Sequence, residues 1–106
     1  MHKRRITKDE ILVFITMLRK AERSAGTIEK YCRDLQAFTV WLGDRAVTCE
    51  TAAEWKHDLQ ERNYSPATIN AMLIALNRFF DCMGWQDCRV NLLRLQRRLF
   101  RSADRE

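Results

Sequence analysis

The sequence predicts an all-α domain of four helices, and three observations predict it. Among 106 residues there are only 3 Gly and 1 Pro, while Leu, Ala, Arg, Glu and Lys, which lose little freedom in a helix, are abundant. Apolar residues recur at the 3.6-residue period in four stretches. Each stretch is opened by Ser or Thr, side chains that satisfy the free amides of a first turn. A chain of this length with 46% hydrophobic content can bury one modest core and no second one beside it.

The first helix is predicted from about Lys8 to Ala21. Thr7 and Glu10 have capping-box spacing, Ile11, Phe14, Ile15 and Leu18 form one apolar stripe, and Arg19, Lys20 and Arg23 oppose the negative end of the dipole. The second starts after Ser24, runs through Thr27 to Leu42, and stops at Gly43 in a left-handed conformation. Its apolar face comprises Ile28, Cys32, Leu35, Thr39 and Leu42, flanked by Tyr31, Phe38 and Trp41, with Lys30 and Arg33 pointing elsewhere. A third helix opens at Thr48 or Thr51 and continues to about Arg62, with Trp55 and Leu59 inside and Glu50, Glu54, Asp58 and Glu61 outside. That acidic exterior repels phosphates. Ser65-Pro66 is a cap followed by proline at the first helical position, where its missing amide costs nothing. The fourth helix then reaches about Met83 and Gly84 ends it. Ile69, Met72, Leu73, Leu76, Phe79, Phe80 and Met83 form its buried stripe, which leaves Ala67, Asn70, Ala71, Ile74, Asn77 and Arg78 on other faces. After Trp85 the periodicity is lost.

The net charge of +5 is unevenly spread. Residues 1–5 carry +3 and residues 89–106 carry +4, while 6–88 sum to −2. A nucleic-acid surface on the body therefore depends on how charges are placed, not on their total. Cys32, Cys49, Cys82 and Cys88 form no CxxC pair, and neither His2 nor His57 stands at zinc-finger spacing. Free thiols follow, with no metal and no other cofactor. No apolar run approaches the roughly 20 residues that span a bilayer, and the basic start leads into an amphipathic segment. The expected setting is the cytoplasm, with no membrane partner.

The pattern Ser24-x-x-Thr27-x-x-x-Tyr31-x-x-Asp34-Leu35-x-x-Phe38-x-x-Trp41-Leu42, followed by Ser65-x-x-Thr68-Ile69-Asn70-x-x-Leu73-x-x-Leu76-x-x-Phe79-Phe80, carries a resemblance. Together the two halves resemble the signature helices of the SAM-like core-binding domain of phage-type tyrosine recombinases, or integrases. The resemblance spans roughly Ile6 to Trp85. It implies a four-helix orthogonal bundle forming half of a clamp around double-stranded DNA, with the second and fourth helices crossing the major groove. Those are also the two helices whose outer faces lack acid. The family's catalysis uses a tyrosine nucleophile in a C-terminal domain. Tyr31 and Tyr64 precede the place where that domain would begin, so the chain is expected to be a non-catalytic piece of a recombinase. The implied organisation is a basic N-terminal extension at 1–5, a core-binding domain at 6–88, and a flexible basic linker at 89–106 leading to the catalytic domain. The piece is expected to be monomeric and its parent to assemble on DNA.

Each candidate DNA contact has a plainer alternative. Ser24, Thr27 and Lys30 combine helix-start amides, a hydroxyl and a cation for a phosphate, or they are a cap beside a solvated lysine. Ser65 and Thr68 present the same choice. Asn70, Asn77 and Arg78 suit groove contacts, since Asn pairs with adenine and Arg with guanine or phosphate; otherwise they form a polar outer face. Arg33 touches DNA or balances Glu29. Tyr31 packs its ring and can offer its hydroxyl to a phosphate. Ile74 is a thymine-methyl contact or a peripheral core residue. Phe79, Phe80, Trp41 and Trp55 read as core. Arg94, Arg97, Arg98 and Arg101 line the DNA backbone or form a solubilising tail. The rival from another class is a helical protein-interaction module using the exposed side of the fourth helix and the Leu-rich tail. Single-stranded or RNA binding is disfavoured, because the aromatic residues are placed for a core and not for stacking.

Overall fold

The computed structural model describes residues 4–94, and these form four α-helices and one 3-10 turn, with no strand among the described residues. α1 is Lys8–Lys20, α2 Ala25–Leu42, α3 Cys49–Glu61 and α4 Pro66–Met83; the turn is Gln86–Cys88. All four predicted helices are present, and their ends agree with the predicted ends to within a residue or two.

The caps explain the ends. At α1 the Glu10 carboxylate accepts from the backbone amide of Thr7 at 2.8 Å and from its hydroxyl. Ser24 and Ser65 accept from the third-residue amides of α2 and α4, and Thr48 does the same for α3. Gly84 stops α4 in the left-handed conformation, at φ 75° and ψ 20°. Gly43 corrects the expectation for α2: its φ is positive but its ψ of −131° lies outside the left-handed helical region. Arg45 completes that end, donating from Nε to the Leu42 carbonyl and from Nη2 to that of Trp41. A cation on the last carbonyls satisfies orphan acceptors and opposes the dipole.

α4 is the central helix, packed against α1, α2, α3 and the 3-10 turn. Its Ile69, Leu73, Leu76, Phe79 and Phe80 meet Phe14 and Leu18 of α1, Leu35, Phe38 and Leu42 of α2, and Ala52, Trp55 and Leu59 of α3 in one core. Phe79 is the hub of the aromatic contacts, with ring centroids 5.5 Å from Phe14, 5.8 Å from Trp85 and 6.3 Å from Phe80. Trp41 departs from its predicted core position: it is half-buried, stacked on Phe38 and covered by the Arg45 guanidinium at 4.3 Å.

Two segments that sequence assigned to extensions are held to the body. Arg4 donates to both carboxylate oxygens of Asp87 and lies 5.4 Å over the Trp85 ring, while its carbonyl accepts from Val47 N at 2.8 Å. Arg5 donates to the Asp44 carbonyl. The segment from Arg89 to Arg94, expected to be flexible, instead lies along α4, with Val90 and Leu93 packed against the core. Residues 95–106, including Arg97, Arg98 and Arg101, lie outside the described residues.

The N-terminal anchoring carries a pH dependence. The hydrogen bond from the Thr7 side chain, joined by the Thr7 amide, holds the Glu10 carboxyl below its ordinary value, and the bond from Arg4 does the same for Asp87. A carboxyl depressed in the folded state contributes stability above its unfolded pKa and loses it as pH falls through the folded value. The Thr7 and Val47 amides are therefore expected to lose exchange protection below the ordinary carboxylate range, before the α4 core does. Amide exchange followed against pH checks this.

Candidate nucleic-acid interface

The opening turns of α2 and α4 share one construction. Ser24 Oγ accepts from Thr27 N at 3.1 Å and donates to Thr27 Oγ1 at 3.0 Å. Ser65 Oγ accepts from Thr68 N at 3.2 Å and donates to Thr68 Oγ1 at 2.9 Å. The capping reading of both serines thus holds, and it leaves the hydroxyl protons of Thr27 and Thr68 unspent. The two helix starts differ in backbone. α2 offers the amides of Ala25 and Gly26 ahead of the capped Thr27, and a side chain added at Gly26 would meet open space. α4 offers only Ala67, because Pro66 has no amide.

Charge is sorted along the helices. On the α2 and α4 faces, Arg33 and Arg78 are exposed and form no ion pair among the described residues, and the same holds for Arg23 just before α2. Arg33 therefore does not balance Glu29, whose exposed carboxylate corrects the expectation that the outer face of α2 lacks acid. Arg23 and Arg78 line one shallow groove together with Asp81, while Arg33 lines another, of about 420 Å³, with Arg62 and Tyr64. Arg45 is spent on Glu54, Arg62 on Asp58 and Arg89 on Asp81, whereas Lys8, Arg19 and Lys20 of α1 are exposed and form no ion pair among the described residues. Lys30 belongs to the spent group, since its ammonium lies 2.6 Å from the carboxylate of Asp34, a buried residue. Of the four acids expected on the outer side of α3, Glu50, Glu54 and Glu61 are exposed, whereas Asp58 is half-buried beside Arg62. Tyr31 stacks its half-buried ring on Phe14 at 6.3 Å.

Asn70 and Asn77 are the clear correction. Expected on an exposed face for base contacts, they are 8% and 6% exposed. Asn77 donates from Nδ2 to the Val90 carbonyl at 2.8 Å and accepts from Val90 N at 2.8 Å. Asn70 treats Leu93 alike, at 2.9 and 2.7 Å. Each carboxamide gives one N–H and one oxygen lone pair to backbone and is buried, so neither offers a base edge its paired donor and acceptor without releasing the 89–94 segment. Ile74 lies half-buried beneath that segment. The side of α4 and the Leu-rich stretch that a protein-interaction module would use are here packed on each other as far as Leu93.

Sequence reasoning missed Arg23, read as a dipole cation for α1, and the clip role of the two asparagines. A signal existed for the second: Asn70 is three residues before Leu73 and Asn77 four after it, so both flank the buried stripe.

The arrangement thus defines a small helical module with two matched Ser-x-x-Thr helix starts, unpaired arginines on the same two helices, and an acidic third helix. The chain belongs to the family of phage integrase N-terminal SAM-like domains, whose model matches residues 11–87. No match was found among curated proteins or among solved structures. No described helix is long and apolar enough to cross a membrane.

Proposed function

We propose that this domain is the non-catalytic DNA-binding module of a cytoplasmic tyrosine recombinase, gripping about one turn of duplex through α2 and α4. The family assignment supports recombinase-related DNA binding. The observation that carries the choice of surface is the contrast between helices: among the described residues Arg23, Arg33 and Arg78 form no ion pair around α2 and α4, while α3 turns Glu50, Glu54 and Glu61 outward. Thr27 and Thr68, with their free hydroxyl protons at helix starts, bind phosphates and set the register. Arg78 and Arg33 supply the cations, and Arg94, with Arg97, Arg98 and Arg101 after it, follows the backbone. Ser24 and Ser65 act through the threonines they orient. Tyr31 offers its hydroxyl at the edge of the same face, and Lys30 serves by holding Asp34. The cleavage chemistry belongs to a C-terminal catalytic domain of the parent chain, which this module positions on the DNA as the parent assembles there.

Half a clamp binds weakly. Fluorescence anisotropy with a labelled duplex of arbitrary sequence is expected to give a Kd of about 10⁻⁴–10⁻⁶ M at physiological salt, tightening steeply as salt is lowered. Affinity that is absent, or indifferent to salt, contradicts the reading and favours a protein partner.

A further inference from the structure

We propose that Asn70 and Asn77 are positioning residues: a two-point clip on α4 that fixes the path of the departing chain and delivers Arg94 to the DNA side of the domain. This rests on the DNA-binding reading above.

The clip recognises backbone alone. Each asparagine presents a donor and an acceptor, and each meets the carbonyl and amide of a single residue, Val90 or Leu93. The spacing is matched in length. Seven helical residues rise about 10.5 Å, and three extended residues span about 10 Å. Residues seven apart on a helix also return to nearly the same face, so both asparagines address one straight segment. A third bond comes from the opposite side, where Lys56 Nζ donates to the Asn91 carbonyl at 2.7 Å. Val90 and Leu93 turn apolar side chains into the core, which selects the register that a backbone clip alone would leave open.

The direction follows from the pairing. Val90 sits at Asn77 and Leu93 at Asn70, so the segment runs antiparallel to α4 and back toward its first turn. Arg94, exposed and without an ion pair among the described residues, follows the Asn70 end of the clip directly, near the N-terminal end of α4. Burying two asparagines in a small core is costly unless their amides are paired; here the pairing also fixes where Arg94 leaves the body of the domain.

The test compares the chain with its N70A/N77A variant. In the free protein, exchange of the Val90 and Leu93 amides is expected to quicken at least about ten-fold in the variant, while Leu73 and Leu76 in α4 keep their protection. On duplex DNA, R94A is expected to weaken binding about 3-fold in the parent and to have no further effect in N70A/N77A. A purely structural role would leave the cost of R94A equal in both backgrounds, and that result overturns the proposal, as does unchanged exchange at Val90 and Leu93. If the parent chain binds no duplex, the DNA reading fails and the delivery step falls with it, whereas the exchange result still reports the clip. Should the double variant not fold, N77A alone carries the exchange test at Val90, with the Asn70 end intact.

Discussion

Replacing Phe79 with alanine is expected to destabilise the domain by about 3–5 kcal/mol, the range for truncating a buried aromatic residue in a core that cannot collapse around the gap. Phe79 is fully buried and its ring is shared between α1, the neighbouring Phe80 and Trp85 after α4. A domain of this size has roughly 5–15 kcal/mol in total, so the variant is left near its unfolding threshold. Thermal melting followed by circular dichroism should fall by about 15 °C or more. Val40→Ala, at a position 81% exposed on α2, should change stability by no more than about 0.5 kcal/mol. If F79A costs less than about 1 kcal/mol, the α4-centred core is wrongly described.

Charge reversal at Arg78 or Arg33 is expected to have the largest effect on DNA binding. Either guanidinium stands exposed and forms no ion pair among the described residues, so Arg78→Glu is expected to remove the proposed phosphate contact and add repulsion without breaking an ion pair there. Each substitution should weaken duplex binding about ten-fold at low salt and flatten the slope of log K against log salt by roughly one. Glu61→Lys on the outer side of α3 serves as the control. It should change affinity little, because that face is directed away from the duplex. If only net charge mattered, the two arginine reversals would lose affinity and Glu61→Lys would gain it by a matching amount, and that result contradicts the placement.

The helices were legible because their signals are local. Ser24, Thr48, Ser65-Pro66 and Gly84 mark ends through bonds that span three or four residues, and the apolar period marks the inward face. What was not legible depends on partners distant in sequence. Asn77 meets Val90, thirteen residues on, and Asn70 meets Leu93, twenty-three on. A polar side chain beside a buried stripe therefore read as outward-facing. Arg4 finds Asp87 at a separation of 83 residues, which no local pattern announces. Trp41 was read as core by period alone, but Arg45 covers its open face, a contact that also ends α2. Within the candidate site, Ser24, Thr27, Ser65 and Thr68 are visible from motif spacing. Whether a cation nearby is free or spent is not, as Lys30 and Arg33 show: each has a carboxylate four residues away, Asp34 and Glu29, and only Lys30 pairs with its own.

The central claim is that the α2 and α4 face is the one that meets DNA, and amide shift mapping tests it most directly. The ¹⁵N-labelled domain is titrated with a nonspecific duplex at low salt, and the titration is repeated at higher salt. The account predicts shifts clustered on Arg23 to Arg33, on Ser65 to Arg78 and at Arg94, all reversed by salt, with the exposed face of α3 silent. Shifts confined to the arginine-rich ends, or centred on α3, would contradict it.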